Sequence, residues 1–375
     1  MAIAENLTWS AAVTSSAVPV RAAARTAQIY FLIAAALGLA ALVLGIESRL
    51  TPGLFAIAPP VGLVPPLSDQ AWLAAFVLHQ QDPIFAACGG SENLDQFKIL
   101  YWWEWLRGGS LLLLASTLAC GLCTAILLPE YRFASKRLAA VCLIGLGYLA
   151  AAWCLDRAVP LVPNLVRYNT GQYRHALDMT FASAALAVML ASAVAPPAPA
   201  ALRSRLPMIR SGWIWIGLII LDICFGALLA SRDAISVWRS FPGYETGVLP
   251  PLERLTAYAP LWLNFTFNQY TIQLVHRILS IGLWVGLILS VILSGRRDPR
   301  ARMGATALLV LLTVQMAAGI ATLMLGGSAT MSFLHEVGAI FLLAGALLTL
   351  PHQSAETFQA QVLTARSSAP PTGQG

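Results

Sequence analysis

Two histidines stand near the start of two long apolar segments in the C-terminal part of the sequence. One is His276, which is followed by Arg277, and the other is His335, which is followed by Glu336. A histidine inside a bilayer is costly, so it normally faces the interior of a helix bundle and has a function there. Two histidines on neighbouring helices can approach a flat ligand from opposite sides, as the iron of a haem requires. The spacing leaves two interpretations open: a pair of haem ligands, or a pair of buried histidines that hydrogen-bond to other helices.

A carboxylate, Glu104, lies near the start of another apolar segment, within a group of aromatic residues. These neighbours are Tyr101, Trp102, Trp103 and Trp105. In a functional interpretation, such a carboxylate accepts protons or orients water during an oxidation. In a structural interpretation, it is an interfacial carboxylate beside an aromatic belt. The sequence alone leaves both interpretations open.

The elements that must position these residues are long and apolar. The chain has 375 residues, of which 58% are hydrophobic and only 11% are charged, a composition typical of a polytopic membrane protein. Eight apolar segments each approach the length needed to cross about 30 Å of hydrocarbon. These segments are residues 28–46, 101–128, 138–155, 175–195, 213–231, 271–294, 304–326 and 333–350. We therefore predict an all-α polytopic membrane protein with eight transmembrane helices in the lipid bilayer.

The distribution of basic residues indicates the orientation in the membrane. Arginines and lysines concentrate before the first segment and in the connections after the second, fourth and sixth segments, at 21–25, 132–137, 203–210 and 296–302. By the positive-inside rule, both termini are expected to be cytoplasmic. We expect the first segment to be an anchor, because it is long and lacks a clear small-residue cleavage site. The net charge of +6 is thus a topology signal, and we expect no nucleic-acid partner.

The two halves of the chain carry the same motif at corresponding places. The pattern G-x-x-P-P-L occurs at 62–67, after the first segment, and at 247–252, after the fifth. Four segments separate the two copies, so both halves have the same orientation, which indicates a parallel internal repeat of two tandem four-helix bundles. The predicted organisation is a cytoplasmic tail at 1–27, a bundle at 28–195, a cytoplasmic linker at 196–212, a bundle at 213–350 and a cytoplasmic tail at 351–375.

Aligning the two halves compares their sites within one sequence. Arg107 falls at the position of His276, and Asp178 falls at the position of His335. All four residues lie near the outer ends of their segments. Since Arg107 and Asp178 carry opposite charges, we predict an interhelical ion pair between them, with independent snorkelling as an alternative.

Several motifs together resemble the haem A synthase family, in particular its mitochondrial and alphaproteobacterial branch. The matching stretches are 48–51 with 65–68, 72–105, Tyr173-Arg174, 226–251, His276-Arg277 and His335-Glu336-Val337-Gly338-Ala339. The resemblance covers about residues 28–350, which is nearly the whole chain.

This resemblance implies a function and a set of roles. Family members oxidise a methyl group of haem O to the formyl group of haem A, and they fold as two four-helix bundles in tandem. Their C-terminal histidine pair binds haem b, which assigns iron ligation to His276 and His335. Arg277 would bind a haem propionate, with snorkelling toward the outer surface as the alternative. The N-terminal half would hold the substrate haem, with Glu104 as the catalytic residue.

The resemblance also implies partners and a location. Haem O and haem A are the expected substrate and product, and a haem O synthase or terminal oxidase assembly factors are the expected protein partners. The expected location is the bacterial inner membrane. Whether the protein is a monomer or a homo-oligomer is left open.

The N-terminal half departs from the family pattern. The family has histidines where this sequence has Arg107 and Asp178. An arginine stays protonated and is not an ordinary haem ligand, although Arg107 could instead bind a propionate. His175, one helical turn before Asp178, is either a displaced ligand or an interfacial polar residue.

Three functional hypotheses follow from this combination. In the first, the chain is a haem A synthase-like membrane oxidoreductase with haem b on His276 and His335. In the second, it is a catalytically degenerate haem-b-binding protein that assists haem handling or oxidase assembly. A transporter built from paired bundles is the third, but it gives no reason for two facing histidines.

The remaining histidines and cysteines predict no further site. We expect His79 to be solvated in the first outer loop and His352 to be interfacial. Cys120 and Cys123 have C-x-x-C spacing, but in an apolar helix their expected role is packing. Cys88 stands alone in the first outer loop and has no predicted role.

Overall fold

The structure is a computed structural model of the chain. It describes residues 25–44, 62, 64–81, 93–127, 132–158, 171–194, 210–245, 247, 249–294 and 299–367. Cys88 and the basic segments 21–24, 203–209 and 296–298 lie outside the described residues.

The described residues contain eight helices that are long and apolar enough to cross a membrane, and no β-strand. They are α1 (Arg25–Leu44), α2 (Leu94–Leu127), α3 (Arg132–Ala158), α4 (Gly171–Val194), α5 (Arg210–Ser231), α6 (Gln269–Ser294), α7 (Pro299–Met324) and α8 (Ala329–Ser367). A helix satisfies its backbone hydrogen bonds within one segment, which the hydrocarbon core requires. The prediction of an all-α protein with eight membrane-spanning helices is confirmed.

Two helices extend well beyond their predicted apolar segments. Helix α2 begins at Leu94 instead of residue 101, and α8 continues to Ser367 instead of ending at residue 350. Hydropathy detects only the part of a helix that lies in hydrocarbon, and the added residues of α2 include Asp95 and Lys98. At 1.5 Å per residue, a helix of 34 residues is roughly 51 Å long, well beyond the ~30 Å hydrocarbon core.

The chain divides into two compact units. One comprises residues 1–174 and 188–195, and the other comprises 175–187 and 196–375. In the second unit, α5 packs against α6 and α8, and α7 packs against the same two helices. These contacts close a ring of four helices, with α6 and α8 at opposite corners.

In the first unit, α2 packs against α3. The hydroxyl groups of Tyr30 and Thr124 join α1 to α2 at 3.2 Å. At Gly145 of α3, a Cβ atom would lie 2.7 Å from the Leu118 side chain of α2. The glycine therefore leaves room for the Leu118 side chain where these two helices approach closely. That this unit repeats the bundle of the second unit stays a prediction.

The connection between α5 and α6 folds into a compact segment. It contains the short helices Leu252–Leu255 and Asn264–Phe267, separated by a 3-10 turn at Leu261–Leu263. Trp238 is only 1% exposed, and its ring centroid lies 4.7 Å from that of Tyr244 and 4.5 Å from that of Tyr270. This segment, residues 232–268, therefore has its own aromatic core packed on the first turns of α6.

Candidate functional site

His276 and His335 face each other inside the ring of four helices. His276 lies on α6 and His335 lies on α8. Their ring centroids are 6.2 Å apart, and the planes of the rings are at 83°. The two predicted histidines therefore meet, although their helices stand at opposite corners of the ring and pack mainly against α5 and α7.

Each histidine is oriented by the helix that precedes its own. The Nδ1 atom of His276 lies 3.1 Å from the backbone oxygen of Asp222 on α5. The Nδ1 atom of His335 lies 3.0 Å from the backbone oxygen of Gln315 on α7. A carbonyl oxygen only accepts hydrogen bonds, so Nδ1 must carry the proton in both rings. This tautomer leaves the Nε2 lone pair of each ring available to a metal.

A glycine lies against each histidine ring. A Cβ atom at Gly226 of α5 would lie 3.3 Å from Cε1 of His276, and one at Gly319 of α7 would lie 2.8 Å from Cε1 of His335. The glycines come four residues after Asp222 and Gln315 respectively. Residues four apart share one face of a helix. On both α5 and α7, this face offers a backbone oxygen that accepts a hydrogen bond from the imidazole and a glycine that leaves space for the ring. The two histidine sites are thus built in the same way.

Asp222 also interacts with His276 through its side chain. Its Oδ1 atom lies 2.8 Å from Nδ1 of His276. The Ser280 hydroxyl, one turn further along α6, donates to Oδ2 of Asp222 at 2.9 Å. Sequence reasoning missed Asp222 and Gln315. The signal that could have found them is a polar residue inside an apolar segment, four residues before a glycine.

A cavity opens between the helices of the second unit beside the two histidines. Its empty volume is about 1380 Å³, including space that is open to its surroundings. Most of the wall is apolar, with residues such as Leu312, Met316 and Ile320, while His276 and His335 supply polar groups. An apolar cleft with a few convergent polar groups is typical of a cofactor site.

Gln273 adds an unsatisfied acceptor to this cavity. Its side chain is 1% exposed, and its Nε2 atom donates to the backbone oxygens of Ala234 at 2.9 Å and Trp238 at 3.0 Å. Its Oε1 atom is buried and has no hydrogen-bond partner within the described residues. Since Gln273 lines the cavity, a donor group of a bound ligand or a water molecule would satisfy this atom.

Arg277 is buried rather than extended to the surface, with 8% of its area exposed. Its guanidinium group donates to the backbone oxygens of Trp238 at 3.3 Å and Gly243 at 3.4 Å, and lies 4.6 Å from the Tyr244 ring centroid. Burial raises the pKa of Tyr244, and the positive charge of Arg277 partly offsets this effect. The phenol therefore stays neutral near pH 7 and does not neutralise Arg277. Arg277 lines the cavity with its charge available to an anionic ligand group.

The geometry of the two histidines fits the axial ligands of a haem. Metal–imidazole bonds of about 2.0–2.1 Å on each side, plus the ring radii, place two axial imidazole centroids roughly 6.4 Å apart. The observed separation is 6.2 Å. Among the described residues, no group of three or more His, Cys, Asp or Glu side chains could hold a metal ion. His276 and His335 are therefore the residues that would hold a haem iron, and the porphyrin would supply its other ligands.

In the first unit, Glu104 forms an ion pair within α2. Arg107 donates from Nε and Nη2 to Oε2 of Glu104 at 2.9 and 2.8 Å. The Glu104 side chain is only 11% exposed, whereas that of Arg107 is 38% exposed. Arg107 thus has a partner on its own helix, and the predicted pair with Asp178 of the other unit stays a prediction. The side chain of His175 lies outside the described residues.

The prediction that His79 is solvated is wrong. His79 is 1% exposed, and its ring centroid lies 5.2 Å from that of Phe97 on α2. It belongs to the helix Asp69–Gln80, whose Trp72 and Phe76 are also buried. Trp72, Phe76 and His79 follow the i, i+4, i+7 pattern of one helix face. His79 is therefore buried together with Trp72 and Phe76, where this face packs against α2.

Other minor predictions have mixed outcomes. Cys120 and Cys123 are exposed on α2, so the predicted packing role among the described residues is wrong for both. His352 lies on α8, and its side chain is outside the described residues.

The chain is similar to known proteins over most of its length. Residues 58–347 match the model of the COX15-CtaA family, described as cytochrome oxidase assembly protein. A protein named heme A synthase from Azorhizobium caulinodans is 30% identical over 86% of this chain and 93% of its own length. Proteins of the same name from Methylobacterium radiotolerans (30% identical over 85% of this chain and 86% of the relative) and Bradyrhizobium sp. strain ORS 278 (28% identical over 86% of this chain and 90% of the relative) are also similar.

Proposed function

The chain belongs to the COX15-CtaA cytochrome oxidase assembly protein family and is similar to proteins named heme A synthase, and on that premise we propose that it is a haem A synthase-like membrane oxidoreductase. In this function, a methyl group of haem O is oxidised to the formyl group of haem A. The observation that supports the proposal most directly is the facing pair His276 and His335, whose Nδ1 atoms are both engaged by backbone oxygens.

The second unit would hold haem b through the Nε2 atoms of His276 and His335. A haem with two histidine ligands supplies one-electron transfer when it is bound. Arg277 would bind a propionate by a charge-assisted hydrogen bond, and Gln273 would accept a hydrogen bond from a protonated propionic acid or a water molecule. The apolar walls of the cavity would exclude bulk water from the iron ligands.

Glu104 is the proposed catalytic residue of the first unit. Both of its hydrogen bonds to Arg107 use Oε2, which leaves Oε1 outside the ion pair and able to accept a proton or orient a water molecule. Arg107 would hold the carboxylate in one orientation. The proposed setting is the bacterial inner membrane, with both termini cytoplasmic and with a haem O synthase or oxidase assembly factors as partners.

A second function is favoured by one observation. Arg107 stands where the family resemblance implies a histidine, and a guanidinium that stays protonated does not ligate iron. Its ion pair with Glu104 also engages the carboxylate that catalysis would use. The alternative is a haem-b-binding membrane protein that assists haem handling or oxidase assembly without carrying out the oxidation.

Haem analysis distinguishes these two functions. The protein is expressed in cells that contain haem O synthase but no other haem A synthase, and the extracted haems are separated by chromatography. Haem A in these cells, and not in cells with the empty vector, supports the enzyme. Haem b bound to the purified protein with no haem A in the cells supports the binding function. A purified protein without any haem contradicts both.

A further inference from the structure

The two histidine sites differ in one chemically important respect. Both rings donate from Nδ1 to a backbone oxygen, and both rings lie against a glycine four residues later. At the first site, the residue that supplies this oxygen is Asp222, whose carboxylate also contacts the ring. At the second site it is Gln315, whose neutral amide donates to the backbone oxygen of His335.

The contact between Asp222 and His276 is well built. The Oδ1 atom of Asp222 is 2.8 Å from Nδ1 of His276, and the two side chains are 15% and 17% exposed. The Ser280 hydroxyl donates to Oδ2 at 2.9 Å and to Oδ1 at 3.2 Å, which fixes the plane of the carboxylate. The partners of this carboxylate that the structure records are thus an imidazole and a hydroxyl, and neither carries a full positive charge when His276 is neutral.

A carboxylate that accepts a hydrogen bond from the distal nitrogen of a ligand histidine raises the basicity of the ligating nitrogen. Greater electron donation stabilises the ferric state over the ferrous state, and hydrogen bonding around the axial ligands is one of the means by which a protein sets a haem potential. A backbone carbonyl carries no net charge and has a weaker effect.

We propose that Asp222 is a positioning residue that makes His276 the more electron-donating of two unequal axial ligands and thereby lowers the reduction potential of the bound haem. This inference rests on the proposed haem pair. Asp222 would thus have two roles: it orients the His276 ring, and it lowers the reduction potential of the bound haem.

The test is a redox titration of the purified, haem-loaded full-length protein, monitored by its absorption bands. Asp222→Asn removes the charge but keeps the backbone oxygen that orients His276. We expect the ferric–ferrous equilibrium to shift toward the ferrous state by tenfold or more, which for a one-electron couple is about 59 mV. Asp222→Glu keeps the charge and should remain within threefold of the wild type.

Gln315→Met is the matched control at the second site. It removes a neutral side chain of similar size, while the backbone oxygen that binds His335 remains. Its equilibrium should stay within threefold of the wild type. A purely structural role for Asp222 would change haem content without a directed shift in potential.

A redox titration of Ser280→Ala is a second test, which does not require Asp222→Asn to retain haem. Without the hydroxyl, the Asp222 carboxylate loses the contacts that fix its plane against His276, and the equilibrium should shift toward the ferrous state, by less than in Asp222→Asn. A shift of less than twofold in Asp222→Asn, or a shift toward the ferric state in Ser280→Ala, overturns the inference while the haem pair stands. Wild-type protein that binds no haem overturns the haem pair and this inference with it.

Discussion

Replacing Gly319 by alanine should displace His335 and weaken haem retention. The added Cβ atom would lie 2.8 Å from Cε1, 3.2 Å from Nδ1 and 3.3 Å from Nε2 of the ring, whereas ordinary contact begins at 3.4 Å. The ring must therefore move by about 0.6 Å, the difference between 3.4 and 2.8 Å. That movement strains the 3.0 Å hydrogen bond from Nδ1 to Gln315.

The expected loss follows from the role of that hydrogen bond. Losing a partner that orients a metal ligand typically costs about 10–100-fold in affinity, so we expect Gly319→Ala to bind haem at least tenfold more weakly, a loss of about 1.4 kcal/mol. Gly226→Ala is milder, because its Cβ would stand 3.3 Å from His276, only about 0.1 Å inside ordinary contact. We expect less than a threefold loss there.

The assay compares haem per protein after purification and the rate of haem transfer to an excess of apomyoglobin. Gly282→Ala, on α6, is the matched control, because its Cβ would meet nothing within 4 Å and alanine is the better helix former. If Gly319→Ala retains haem as well as Gly282→Ala does, or if Gly226→Ala loses as much as Gly319→Ala, the proposed packing of the ligand rings is refuted.

Four further predictions concern the ligands and the first unit. His276→Ala and His335→Ala should each remove or strongly alter the haem absorption spectrum, and unchanged spectra in both variants would reject them as ligands. The near-perpendicular rings should give the ferric haem a strongly anisotropic low-spin electron paramagnetic resonance signal, and a signal typical of parallel ligand planes would contradict the geometry. If the wild type forms haem A, Glu104→Gln should slow that formation, and an equal rate would exclude proton handling by Glu104. Arg107→Gln should lower thermal stability in detergent by about 1–3 kcal/mol, because it leaves the Glu104 carboxylate, whose side chain is 11% exposed, without its charge partner, and unchanged stability would show that the ion pair does not contribute to stability.

The spans and the histidine pair could be predicted from the sequence for physical reasons. A bilayer demands long apolar helices, so the eight spans are visible as hydropathy alone. A histidine within such a span is rare, so His276 and His335 stand out without any knowledge of their neighbours.

The supporting contacts depend on how each helix is rotated, which hydropathy does not reveal. Asp222 and Gln315 become significant only when α5 and α7 turn them toward the histidines. A polar residue in a loop predicts exposure for His79, whereas its burial follows from the helix face that it shares with Trp72 and Phe76. The repeat predicts a partner for Arg107 on another helix, while Glu104, three residues earlier on α2, forms the ion pair that the structure records.

The diagonal placement of the two histidines has a consequence for how the protein matures in the membrane. His276 enters with α6, but its counterpart arrives only with α8, the last helix of the ring. A growing chain that has inserted α6 and α7 still lacks one of the two proposed haem ligands, so stable capture of haem would await insertion of α8. Binding of a metal group adds directly to folding stability. The cofactor would therefore link α6 to α8 late in folding, and these two helices otherwise connect through α5 and α7. Under haem limitation, newly made chains would lack this link between α6 and α8, and membrane proteases should remove them first.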